Sequence, residues 1–173
     1  VTLENKTSQE HFQALMDVLV NLKDCHLIFT MPNADSDGRI IKQMIKEFTS
    51  SHDDRSIAFA NMGHLNYLST LQFVDGVVGN SSSGLAEAPT FRIGTVNIGD
   101  RQKGRLKANS IIDCEPSKKS IQNAVDMLYS EDFQKMLQSV VNPYGEGGST
   151  EKIMDILKNE PLPEETKKEF YDL

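Results

Sequence analysis

The chain has 173 residues, of which 38% are apolar and 25% charged, with no tryptophan. That is enough for one domain with a real core. A net charge of −7 without any lysine or arginine run argues against general nucleic-acid or anionic-membrane binding, and no apolar run approaches the roughly 18 residues of a bilayer span.

The polar start, Val1-Thr2-Leu3-Glu4-Asn5-Lys6-Thr7, is unlike a signal peptide and lacks an initiator methionine, so a fragment of a cytoplasmic protein is expected. After Thr7-Ser8, helical spacing of His11, Phe12, Leu15, Met16, Val18, Leu19 and Leu22 predicts a first helix. Cys25-His26-Leu27-Ile28-Phe29-Thr30-Met31 reads as a buried strand. It ends in the turn-rich Pro32-Asn33-Ala34-Asp35-Ser36-Asp37-Gly38. A helix with Ile40, Ile41, Met44, Ile45 and Phe48 on one face follows, then a strand, Ile57-Ala58-Phe59-Ala60, ending at Asn61-Met62-Gly63. Residues 64–73 read as helix with a half-apolar stripe that includes Leu65, Leu68 and Leu71. Val74-Asp75-Gly76-Val77-Val78 is a strand feeding Gly79-Asn80-Ser81-Ser82-Ser83-Gly84-Leu85-Ala86-Glu87-Ala88-Pro89. Ile93-Gly94-Thr95-Val96-Asn97-Ile98 is the next strand, and it runs into the polar loop Gly99-Asp100-Arg101-Gln102-Lys103-Gly104-Arg105. Ser110-Ile111-Ile112-Asp113-Cys114 is the last strand.

Ser117 opens a helix through Tyr129, and a second helical run covers 132–141. Asn142-Pro143-Tyr144-Gly145-Glu146-Gly147-Gly148 is a loop, and Ser149 is expected to cap a final helix through Lys158. The domain is read as residues 1–159. The charged tail 160–173 is expected to pack on another body. Met16, Met44, Met127 and Met154, at helical positions, are assigned to the core. Cys25 and Cys114 show no metal spacing and read as reduced, partly buried thiols.

Strands alternating with helices predict an α/β fold, a parallel sheet with helices on both faces. Ligands of such sheets bind beyond the carboxyl ends of the strands. Polar clusters occupy that place four times, at 32–38, 61–64, 79–87 and 99–105. The 79–89 stretch is the centre of the set. N–H groups at a helix start lack helical partners and carry positive partial charge. Ser81, Ser82 and Ser83 can cap them or bond a phosphate. Glu87 lies four residues past Ser83, one too many for a capping box, which leaves it free for a sugar hydroxyl. An ordinary capped turn explains this stretch alone equally well; the four convergent clusters raise the ligand reading above it.

No Gly-x-Gly-x-x-Gly follows the first strand and no P-loop motif occurs. A response-regulator receiver would want acidic residues after the first strand and an aspartate after the third, where Pro32-Asn33 and Gly79-Asn80 stand. Helix-start donors, a glutamate one turn on and an arginine opposite suit a nucleoside diphosphate. The serines and N–H groups would hold phosphate, Glu87 two ribose hydroxyls, and Arg101 the diphosphate charge. Asp35-Ser36-Asp37 reads as a helix cap rather than a cation site, and His64 as a helix-start residue. No metal or cofactor is implied. Lys103 and Arg105 are equally solvated loop charges or ligand contacts, and 145–148 equally a hinge or a phosphate approach.

Pro32-Asn33-Ala34-Asp35, Gly79-Asn80-Ser81-Ser82-Ser83-Gly84-(x)2-Glu87, Asn97-Ile98-Gly99-Asp100-Arg101-Gln102-x-Gly104-Arg105 and Pro143-Tyr144-Gly145-x-Gly147 occur in this order. Together they resemble the C-terminal half of the hydrolysing UDP-N-acetylglucosamine 2-epimerases of sialic acid synthesis. The resemblance implies one Rossmann-like half of a two-domain glycosyltransferase-B fold, with the N-terminal domain missing. It implies that Ser81 and Ser82 bind phosphate, Glu87 binds ribose, and Arg101 lies by the diphosphate. Asn33 would face the sugar-phosphate side, and the backbone around Met62 and Gly63 would meet uracil. The family's acid/base groups belong to the other half, so no catalytic residue is assigned here. The family reaction eliminates UDP across C1–C2 and adds water, giving N-acetylmannosamine. This fragment is expected to bind UDP without turnover, in an enzyme that is often a homo-oligomer. The alternatives are the donor domain of another glycosyltransferase-B enzyme, a UDP-sugar-binding module without catalysis, and an epimerase acting on a UDP-2,4-diacetamido sugar.

Overall fold

The computed structural model describes residues 5–32 and 38–161. Helix α1 (Asn5–Leu19) leads to β1 (Leu27–Thr30), α2 (Gly38–Ser51), β2 (Ser56–Phe59), α3 (His64–Leu71) and β3 (Gly76–Gly79). A short α4 (Ser83–Ala86) and a 3-10 turn (Ala88–Phe91) follow, then β4 (Gly94–Ile98), β5 (Ile111–Cys114), α5 (Lys118–Leu128), α6 (Glu131–Leu137) and α7 (Ser149–Asn159). All strand pairs are parallel, as the alternation predicts. β1 pairs with β2, and β3, β4 and β5 pair in that order. The strands form two parallel ladders rather than the single sheet read from the sequence. Thr30 lies opposite Phe59 and Gly79 opposite Asn97, so paired strands end level and their outgoing loops emerge side by side.

The core lies where α1 and α5 pack over β4. Leu15, Met16, Val18 and Leu19 form the inward stripe of α1. They meet Ile121, Ala124, Val125 and Leu128 of α5, which repeat at helical spacing. Val96 of β4 lies beneath them, fully buried. Each of these side chains larger than alanine contributes about 1.5–3 kcal/mol by leaving water. From α2, Ile45 and Phe48 point inward, and the Phe48 ring meets Phe29 of β1 edge-on at 5.5 Å between centroids.

Several local expectations change. The apolar stripe of α3 is carried by Leu71, because Leu65 turns out to solvent at 78% exposure. The run expected to reach 141 ends as helix at Leu137. There the N–H groups of Ser139 and Val140 turn back three residues, to Met136 and Leu137, and the helix tightens into a turn. Ser149 is the first helical residue of α7, not its cap; the left-handed Gly148 precedes it. Ser117 does cap α5, accepting from the Ser120 N–H at 3.4 Å. Met16 is core, but Met127 and Met154 are 51% and 44% exposed, since each lies off the buried face or on a helix that buries nothing. Both cysteines are free and half-buried. Burial, with Asp113 and Glu115 adding, pushes the Cys114 thiol up to about 11.

Candidate functional site

Gly79 closes β3 at φ 148, a backbone conformation that glycine adopts without a side-chain penalty. The chain then turns through Asn80, Ser81 and Ser82 into α4, which is only four residues long. Most N–H groups at its start are already used. The Ser83 N–H donates to Ser81 Oγ at 3.3 Å and the Gly84 N–H to the Ser81 carbonyl at 3.3 Å. Leu85 and Ala86 both donate to the Ser82 carbonyl, at 3.0 and 2.9 Å. The broad helix-end donor set read from the sequence therefore narrows to a turn. Ser81 and Ser82 are exposed, and their own N–H groups and the Ser82 hydroxyl have no partner among the described residues.

Close packing fixes this turn on the sheet. A Cβ at Gly84 would stand 2.6 Å from Thr95 Cγ2. That contact brings the Thr95 hydroxyl to 2.9 Å from the Gly84 carbonyl, to which it donates.

The loop 99–105 leaves the neighbouring strand β4 and fastens to the same turn. Gln102 is its one buried residue, at 2% exposure, and its Nε2 donates to the Asn80 carbonyl at 2.7 Å. Beside it Arg101 is exposed, without an ion-pair partner among the described residues. Lys103 and Arg105 are also exposed and line a cavity of about 370 Å³ with Asp100, Lys107 and Asp113. Asn97 Nδ2 and Lys107 Nζ both lie 2.7 Å from the Asp113 carboxylate. Burial raises the Asp113 carboxyl, but these bonds outweigh it and hold the group below its ordinary value.

Glu87 is half-buried at the C-terminus of α4, and its carboxylate has no partner among the described residues. Its neighbourhood contains a residue that the sequence reading missed. Tyr67, on α3, places its hydroxyl 2.5 Å from Ser83 Oγ. Burial pushes the Tyr67 hydroxyl up; the Ser83 bond opposes this and the Glu87 charge adds to it. The available signal was a tyrosine four residues before the buried Leu71, on the same face of a half-apolar helix.

The 142–145 loop acts as a clasp. Asn142 Nδ2 lies 2.8 Å from the Ala86 carbonyl and 2.7 Å from Thr90 Oγ1. Two residues on, the Tyr144 hydroxyl donates to the Leu106 carbonyl at 3.1 Å. The sequence reading offered a hinge or a phosphate approach for part of this segment and missed all three bonds.

Met62 and Gly63 stand at the carboxyl end of β2, half-buried and exposed respectively. Gly63 has φ 70, its N–H donates to Asn61 Oδ1 at 2.7 Å, and its carbonyl accepts from Tyr67. The Tyr67–Ser83 bond then links this end of α3 to the serine turn. His64 is the exposed first residue of α3. Asn33 and the cap expected at Asp35-Ser36-Asp37 lie outside the described residues, as does the tail from 162 onward. Among the described residues no group of three or more His, Cys, Asp or Glu side chains gathers as a metal site. Ser81, Ser82, Glu87 and Arg101 thus share two bonded loops, with unpaired donors, one cation and one acceptor.

A profile of the family described as UDP-N-acetylglucosamine 2-epimerase matches residues 1–158. The GDP/UDP-N,N'-diacetylbacillosamine 2-epimerase (hydrolyzing) of Campylobacter jejuni is 37% identical over 174 residues, covering 100% of this chain and 45% of that protein. Polysialic acid biosynthesis protein P7 of Escherichia coli is 32% identical, covering 99% of this chain and 44% of that protein. The chain therefore spans less than half the length of these relatives. Among solved structures, the S. aureus MnaA–UDP co-structure matches with a TM-score of 0.66 at 18% identity, over 87% of this chain and 40% of that one. The Methanocaldococcus jannaschii UDP-GlcNAc 2-epimerase in complex with UDP-GlcNAc and UDP matches at 0.65 and 17% identity, over 87% of this chain and 41% of that one. At such identities the likeness carries the fold, one α/β half of a glycosyltransferase-B architecture.

Proposed function

The chain belongs to the UDP-N-acetylglucosamine 2-epimerase family, and we propose that it is the half that grips the UDP end of a UDP-sugar. The observation that carries this reading is the bond between two loops at the ends of adjacent strands. Gln102 ties the 99–105 loop, with its exposed Arg101, to the turn that carries Ser81 and Ser82. The serines' unpaired N–H groups and the Ser82 hydroxyl hold phosphate, and Arg101 supplies a charge-assisted partner. Glu87, one turn on, accepts from the ribose hydroxyls. Met62 and Gly63 border the base, and Asn33 the sugar-phosphate side.

In the reaction proposed for the whole enzyme, the C1–O bond to UDP breaks as the C2 proton leaves. Water then adds across the resulting glycal to give N-acetylmannosamine. Negative charge grows on the departing diphosphate, and donors fixed in advance stabilise it without reorganising. The proton transfers belong to residues on the other half, against which the tail 160–173 is proposed to pack. This chain alone binds UDP and does not turn it over.

A second reading differs only in the sugar. The 37% identical Campylobacter jejuni relative is named for N,N'-diacetylbacillosamine, a 2,4-diacetamido sugar. Product analysis of the whole enzyme with each UDP-sugar separates the two. For the UDP site itself, amide NMR of this chain titrated with UDP is the test. The Ser81, Ser82, Glu87 and Arg101 amides shift together and saturate at one concentration; shifts confined to other loops contradict the assignment.

A further inference from the structure

We propose that Gln102 is a positioning residue for the diphosphate: by holding the Asn80 carbonyl inward, it aims the Ser81 N–H outward at the ligand. The proposal rests on the UDP reading above and assigns a role to a side chain that need not touch the nucleotide. A trans peptide unit is planar, so the carbonyl of Asn80 and the N–H of Ser81 point in opposite directions from one rigid plate. No cis peptide occurs among the described residues. Gln102 Nε2 meets that carbonyl at 2.7 Å from the buried side. The Ser81 N–H therefore leaves on the opposite side, at an exposed residue, and has no acceptor among the described residues.

The burial of Gln102 supports a role for this one bond. Its Oε1 is buried without a partner among the described residues. An unpaired buried amide oxygen costs free energy, and an apolar side chain of the same length would fill the space without that cost. Without the amide, the Asn80–Ser81 plate is free to rotate. One rotated form presents a carbonyl oxygen to the phosphate, which repels it. The same loop also carries Arg101, so one buried side chain sets both the N–H and the cation relative to each other.

The test measures the affinity of this chain for UDP and for uridine, in the wild type, Gln102→Met and Gln102→Glu, across a pH series. Gln102→Met keeps the length and loses the donor. It is expected to bind UDP about tenfold more weakly and uridine as the wild type does, because the plate faces phosphate only. In Gln102→Glu the ionised carboxylate cannot donate to a carbonyl, whereas its protonated form can. Relative to wild type at each pH, this variant is expected to lose UDP affinity at pH 8 and regain it as the pH falls through the carboxyl's pKa. That comparison sets Gln102→Glu against the wild type at each pH and does not involve Gln102→Met, so it stands even if Gln102→Met folds poorly. UDP affinity unchanged in both variants, or an equal loss of UDP and uridine with no recovery at low pH, overturns the role of Gln102. Failure of the wild-type chain itself to bind UDP overturns the site reading, and this proposal with it.

Discussion

The Tyr67 hydroxyl lies 2.5 Å from Ser83 Oγ, joining the helix after β2 to the helix after β3. This bond makes the three consecutive serines unequal. Ser83 is tied to Tyr67, Ser81 Oγ accepts from the Ser83 N–H while its own proton has no acceptor among the described residues, and the Ser82 hydroxyl has no partner there at all. Tyr67→Phe removes the bond and leaves the Ser83 hydroxyl half-buried and unpaired. A stability loss of about 1 kcal/mol is expected, with a few-fold loss of UDP affinity as α4 loosens. Ser83→Ala is expected to lose a similar amount, and the double variant less than the sum. Chemical denaturation of all four proteins checks this; strictly additive losses contradict it.

Glu87 supplies the ribose test. Glu87→Gln keeps the shape, replaces one carboxylate oxygen by a donor and is expected to weaken UDP about tenfold. The wild type should prefer UDP over its 2'-deoxy analogue, and the variant should lose most of that preference. Competition between the two nucleotides reads it directly. Equal discrimination in both proteins places Glu87 away from the ribose.

The close approach of α4 to the sheet predicts the cost of one methyl group. Gly84→Ala would set its Cβ 2.6 Å from Thr95 Cγ2. Thr95 is 2% exposed and donates to the Gly84 carbonyl, so it has little room to move. A destabilisation of about 1–3 kcal/mol is expected from the overpacking, accompanied by weaker UDP binding. A melting temperature equal to wild type contradicts this packing.

The Asp113 carboxyl gives a pH dependence with a definite sign. Its folded-state value is lowered from 3.8 because the Lys107 and Asn97 bonds outweigh the opposing effect of burial. The group therefore contributes stability above its unfolded value, and that contribution is lost as pH falls through the folded value, below about pH 4. Its side chain is 55% exposed, so solvent screening limits the contribution to about 1 kcal/mol or less. Lys107→Met should reduce stability at pH 7 and flatten the acid limb of the stability curve. An unchanged acid limb contradicts the pairing.

The alternation of strands and helices was legible because each strand is a short apolar run and each helix carries a 3.6-residue stripe. The place proposed for the site was read from polar loops that follow four of the five strands, at the carboxyl ends of a parallel fold. Boundaries were less legible: Val140 and Val141 continue the apolar spacing of α6, yet the backbone there tightens into a turn. The supports of the site were not legible at all. Gln102 reaches Asn80 across 22 residues, Tyr67 reaches Ser83 across 16, and Asn142 reaches Ala86 across 56. No local pattern encodes which buried amide or hydroxyl meets which distant carbonyl; that follows only once the strands are side by side.

Calorimetric titration of this chain with UDP, repeated with Ser82→Ala and Arg101→Ala and with uridine in place of UDP, tests the diphosphate site directly. Saturable binding of one UDP per chain is expected, tighter than uridine and weakened by each variant. No heat with UDP, or a UDP affinity that neither variant changes, contradicts it.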